Sequence, residues 1–77
     1  MKTKNLIVFK TNIQNTEQAT KLQALAGLTG ITDWSTDLED CDNILRVQGR
    51  GIRSDQIIRL MDELGFSCEE LAYDEII

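Results

Sequence analysis

Proline and histidine are both absent from these 77 residues, and cysteine occurs only at Cys41 and Cys68. Without proline, every segment is free to join a helix or an interior strand. Without histidine, the commonest general base is missing. Two cysteines far apart in sequence form no paired-thiol motif, and in a reducing compartment they read as free thiols rather than a bridge. Aromatics are scarce at 5%, which leaves few platforms for stacking bases. No apolar run approaches the roughly 18 residues that would span a bilayer. The opening MKTKNLIVFK has two lysines and then only four apolar residues before the next lysine, too few for a secretory signal. The expectation is a cytoplasmic protein with no membrane insertion.

What is present is ordinary globular material, 42% hydrophobic and 27% charged, enough for a single domain over residues 1–77 with a modest core. The net charge of −5 is unevenly spread. Residues 1–32 carry Lys2, Lys4, Lys10 and Lys21 against Glu17, a balance of +3, while residues 33–77 carry four arginines against twelve acids, a balance of −8. From Asp62 onward there are six acids and no base. Nucleic-acid binding needs a basic footprint, so no nucleic-acid partner is expected.

LIVFK (6–10) is a continuous β-rich run, which predicts a central strand. Asn15 then opens a helix, with Gln18 placed to complete a capping box. Ala19, Leu22, Leu25 and Leu28, with Ala26 beside them, form its apolar stripe, and Gly30 ends the pattern. ITDWSTDL (31–38) alternates, with Trp34, Thr36 and Leu38 on one face. EDCDN turns the chain into a second hairpin strand, ILRVQG (44–49). Gly49, Gly51 and an N-cap at Ser54 lead to a helix that buries Ile57, Leu60, Met61 and Leu64 and stops at Gly65. FSCEEL supplies a last strand, and residues 72–77 form a tail with no assigned conformation.

The order β-α-β-β-α-β, with right-handed crossovers, has few solutions. It predicts an α+β ferredoxin-like sandwich: a four-stranded antiparallel sheet in spatial order 4-1-3-2, with two helices on one face. Alternation turns Ile7, Phe9, Trp34, Thr36, Leu38, Leu45, Val47, Phe66 and Cys68 toward the helices. Leu6, Val8, Ile44 and Arg46 then share the open face.

The stretch LAGLTGITDWSTDLED, followed by a returning strand, a helix and LGFSCEEL, resembles the heavy-metal-associated domain of copper chaperones and copper-transporting ATPases. Leu25, Leu28, Gly30, Ile31, Thr36, Leu38, Glu39, Gly65 and Phe66 fall on the family's packing and turn pattern. In that family a Cys-x-x-Cys pair between the first strand and first helix holds the metal. Counting back from Ile31, the resemblance puts those positions near Gln14 and Glu17. The loop TNIQNTEQ (11–18) contains no Cys, His or Met, and thiophilic ions need such donors. The resemblance thus implies the fold with a degenerate metal loop, no cofactor, and no metal at that loop.

Cys41, in the hairpin turn, and Cys68, near the start of the last strand, belong to opposite edges in the expected sheet. Three strand spacings of ~4.8 Å separate them, whereas a disulfide needs Cα atoms within about 7 Å. Cys68 is expected to pack inward as a small hydrophobe, and the acids around Cys41 disfavour its thiolate. The acidic turn DLEDCDN reads as a solvated hairpin tip, since it lacks the glycine and distal glutamate of a calcium loop.

Two other features carry candidate chemistry. RVQGRGIRS is expected to put Arg46, Arg50 and Arg53 close together, and Arg50 and Arg53, just before a helix start, form a candidate small-anion site. Leu6, Val8, Ile44 and Arg46 form a candidate interaction face, and the last strand offers an edge for a partner strand or a second copy. Tyr73, Ile76 and Ile77 are expected to cover part of the open face. With no activated nucleophile and no phosphate-cradling arginine in the first loop, catalysis is not expected. The reading is a non-catalytic domain that engages a protein partner or itself through the sheet. Its alternatives are residual heavy-metal transport, with metal held between molecules by Cys41 or a partner's ligands, and anion sensing at Arg50 and Arg53.

Overall fold

Alternation along Leu6, Ile7, Val8 and Phe9 sends neighbouring side chains to opposite sides of an extended chain. In the computed structural model, which describes residues 4–39 and 43–76, this run is the middle of strand β1, Lys4–Thr11. Ile7 and Phe9 are fully buried, while Leu6 and Val8 are half-buried. Strands β2 (Ile31–Asp37), β3 (Ile44–Arg50) and β4 (Cys68–Ile76) complete an antiparallel sheet ordered β2-β3-β1-β4. This is the 4-1-3-2 order, counted from the other edge. Helix α1 (Thr16–Ala19) continues as a 3-10 helix (Thr20–Gly27), and α2 is Ser54–Glu63. Leu22 and Leu25 from the 3-10 helix and Ile57 and Met61 from α2 join Ile7, Phe9, Leu45 and Val47 in one core.

The first helix differs from the expected amphipathic α-helix in its winding. Ala19, Leu22, Leu25 and Leu28 recur at every third residue, which is the period of a 3-10 helix. Over eight residues that winding aligns the stripe: Leu22 and Leu25 are buried, and Ala19 and Leu28 pack against the core. Ala26, expected beside the stripe, is exposed, because a fourth-residue step falls off a three-residue turn.

Helix α2 stops as its sequence requires. Gly65 has φ +91°, its N–H donates to the Asp62 carbonyl, and the Phe66 N–H donates to the Met61 carbonyl. This paired capping turns Phe66 back onto the core, where it is buried, instead of opening the last strand. The helix start corrects the expected cap: Arg53, with extended backbone, is the N-cap, and Ser54 is already helical.

Strand β4 runs on through Ala72, Tyr73 and Asp74 to Ile76, so residues 72–76 are not a separate tail. Its register with β1 shifts once, from Val8 opposite Ala72 to Phe9 opposite Glu70, and Leu71 is the extra residue. Where β3 leaves the sheet, the Gly30 carbonyl accepts from the Arg50 N–H at 2.8 Å. A Cβ at Gly49 would press on that carbonyl and approach the Ile52 methyl at 2.7 Å, so the close crossing needs glycine there.

Candidate functional site

The β1–α1 loop is held by its own side chains. Thr11, buried at the end of β1, donates through Oγ1 to the Asn43 carbonyl at 2.7 Å and accepts from the Ile13 N–H at 3.2 Å. Asn43 has φ +49° at the close of the hairpin turn, a conformation asparagine tolerates. Asn12 Oδ1 accepts from the Ser67 N–H at 2.9 Å, tying the loop to the approach of β4. Asn15 Oδ1 caps α1 by accepting from the Gln18 N–H at 2.8 Å. Gln18 Oε1 reaches back to the Gln14 N–H at 2.8 Å, one residue before the expected capping-box partner.

Ile13, the one apolar residue in this polar stretch, is fully buried and belongs to the core. Beside the loop, the Lys21 ammonium stands over the Phe66 ring, 5.7 Å from its centroid, a geometry for cation–π attraction. Gln14 and Glu17 are both exposed. The donors here are amide and hydroxyl oxygens plus one carboxylate, and soft cations bind such oxygen donors poorly. Among the described residues, no group of three His, Cys, Asp or Glu side chains is placed to hold a metal ion.

Sequence reasoning missed the roles of Asn12 and Ile13. A lone isoleucine between polar residues was the available signal for an anchor. Nothing local announces that Asn12 reaches Ser67, which lies 55 residues away.

The open face can be read from the register, because directly opposed residues share a face. Its rows are Asp33–Gln48–Leu6–Asp74, Ser35–Arg46–Val8–Ala72 and Asp37–Ile44–Lys10–Glu69. Leu6, Val8, Ile44 and Arg46 therefore lie together on the side away from the helices. Ile44, however, is only 6% exposed although it lies outside the helix-side core, so it adds little accessible surface. Among the described residues, the large exposed apolar side chains are Leu71 and Tyr73, each 48% exposed, and both are on β4. Tyr73 opposes Ile7, which puts it on the helix side of the sheet and not over the open face.

At the start of α2, the Arg53 guanidinium already grips a carboxylate. Its Nε and Nη2 each lie 3.2 Å from an oxygen of Asp55. Arg50 is exposed at the end of β3. Arg46 lies four residues earlier on the same strand, about 13 Å away at ~3.3 Å per residue, so it is not part of this group.

Cys68 opposes Thr11 and packs half-buried against the core. Burial pushes its thiol up to about 12, the reverse of an activated nucleophile. Cys41, Asp40 and Asp42 of the acidic turn, and Ile77, lie outside the described residues. No helix among the described residues is long and apolar enough to cross a membrane.

At the sequence level, no family model and no curated protein matches the chain. Its fold has well-matched relatives among solved structures. One is the apo form of the HMA domain of a copper chaperone for superoxide dismutase, with TM-score 0.76 and 18% identity over 94% of this chain and 71% of that one. Another is the copper(I)-loaded first domain of the human copper chaperone for SOD1, with TM-score 0.77 and 17% identity over 92% and 97%. A third is the Atx1–Cu(I)–Ccc2a complex, with TM-score 0.72 and 21% identity over 88% and 96%. The chain has the ferredoxin-like fold of these heavy-metal-associated domains.

Proposed function

We propose that this is a non-catalytic, cytoplasmic interaction domain built on the metal-chaperone fold, with a degenerate metal loop and a sheet that engages a protein partner. The observation that carries this reading is how the β1–α1 loop spends its polar atoms. Thr11, Asn12, Asn15 and Gln18 satisfy backbone groups of the domain itself, and Ile13 fills the core. A loop organised in that way stabilises the fold and offers a thiophilic ion no sulfur or imidazole. Among the described residues, the large exposed apolar side chains, Leu71 and Tyr73, lie instead on the sheet's outer strand, where a partner can cover them.

Metal trafficking is the nearest alternative, since solved relatives include a copper-loaded domain and a chaperone–partner complex. In this chain it would need ligands from Cys41 or from a second molecule. Anion sensing at Arg50 and Arg53 is less favoured, because an incoming anion must displace Asp55 from the Arg53 fork.

The test compares two groups of variants for binding to a partner recovered from cell extract. Gln14→Ala with Glu17→Ala is expected to retain the partner, and Val8→Lys or Tyr73→Lys to lose it. Loss with the loop variants and retention with the sheet variants contradicts the reading.

A further inference from the structure

We propose that the outer edge of β4 is a docking edge for an extended, basic segment of a partner protein, which adds a fifth strand to the sheet. This rests on the reading of the sheet as the interaction surface and names which part of it binds and what chemistry it selects.

The sheet has two edges, and they are not equivalent. An edge strand presents unpaired N–H and C=O groups that another strand can use. At the β2 edge, the Trp34 N–H is taken by the Asp33 carboxylate at 2.9 Å, and the register breaks between Ile31 and Asp33. Both features blunt that edge. β4 is longer, spans Cys68–Ile76, and pairs only with β1 among the described residues. Its bulge at Leu71 interrupts the outer edge, which leaves 72–76 as the continuous stretch for pairing. Among the described residues, the large exposed apolar side chains are Tyr73, near the start of that stretch, and Leu71, at the bulge just before it.

Charge then chooses the occupant. Glu69, Glu70 and Asp74 are all exposed, and the sequence has no base from Asp62 onward. Consider a second copy pairing antiparallel with full overlap. Over 72–76, the regular stretch past the bulge, Ala72 then meets Ile76 and Asp74 meets Asp74, while Glu69 and Glu70 lie on the far side of the bulge. Like charges directly opposed are destabilising, so the edge disfavours its own copy. A strand with lysine or arginine opposite those acids, and an apolar residue opposite Tyr73, gains what the copy loses. Main-chain hydrogen bonds supply the common part of the affinity, and the flanking charges supply the choice.

The probe is a short synthetic peptide alternating lysine with valine, compared with its glutamate counterpart. Amide shifts and hydrogen exchange of the labelled domain locate the binding. The expected result is slowed exchange at alternate amides within 72–76 with the lysine peptide, weakened by salt and absent with the glutamate peptide. Glu70→Lys with Asp74→Lys should invert the preference, with at least about tenfold loss for the lysine peptide. The isosteric pair Glu70→Gln and Asp74→Asn should show an intermediate loss, and it carries the test if the lysine variant does not fold.

Equal binding of both peptides, or no binding, overturns the inference. Shifts centred on Leu6, Val8 and Arg46 overturn it while leaving the sheet as the interaction surface. Shifts centred on residues 12–18 overturn both. A β4-paired dimer of the domain by itself also refutes the charge argument.

Discussion

Ile13 is the residue on which the loop's character turns. It is an isoleucine with no exposure in the middle of amides and hydroxyls, and it pulls the loop inward while Thr11 and Asn12, just before it, fasten the loop to Asn43 and Ser67. Truncating it to alanine should cost about 2–5 kcal/mol, measured by urea unfolding, and should loosen the 12–18 segment. Asn12→Ala removes one exposed hydrogen bond and should cost only about 0.5–1.5 kcal/mol. Equal losses at the two positions would mean that the anchor is polar and not apolar.

Cys68 gives a second prediction at this scale. Burial raises its thiol to about 12 from the ordinary 9.0, so the folded state holds its proton more tightly than the unfolded chain. The associated stability is therefore complete below about pH 9 and falls as pH rises toward the folded value. In a Cys41→Ser background, alkylation of Cys68 should be slow at pH 8.5 and should speed up on unfolding. Rapid labelling of the folded protein would contradict its placement.

Among the elements, the strands were the most legible and the first helix the least. Ile7, Phe9, Leu45 and Val47 alternate cleanly, and a period of two leaves little freedom about which face is buried. Gly65 and Phe66 announced the end of α2 because the left-handed cap has a narrow residue preference. The stripe Ala19, Leu22, Leu25 and Leu28 was visible too. Its strict three-residue step suits both an α-helix and a 3-10 helix, and only packing against the sheet decides between them.

Ala26 separates these windings experimentally. In the 3-10 geometry it is exposed, so Ala26→Glu should change stability by less than about 0.5 kcal/mol. Leu25→Ala should cost about 2–5 kcal/mol. A severe loss at Ala26 would favour a regular α-helix. The length of β4 was also hidden: its second half is acid-rich and polar on the surface, and its strand state depends on pairing with β1.

At the scale of the whole molecule, topology was legible because two crossover units and a hairpin leave few arrangements. The chemistry of the site was less so. Sequence alone marks an absence, no sulfur or imidazole between Thr11 and Gln18. It does not show what fills that place, because Ser67 and Asn43 reach the loop only after the chain has closed on itself. The same closure puts Tyr73 beside Ile7 at the sheet's outer strand, which no local pattern foretold.

The most direct measurement is a copper(I) titration of the Cys41→Ser, Cys68→Ser double variant against a competing thiol, read by mass spectrometry under native conditions. Removing both thiols leaves the first loop as the place where an ion could sit by similarity of fold. The account predicts no stoichiometric copper complex and unchanged amide shifts over residues 12–18. A one-to-one complex that survives the competing thiol and moves Gln14 and Glu17 would contradict it.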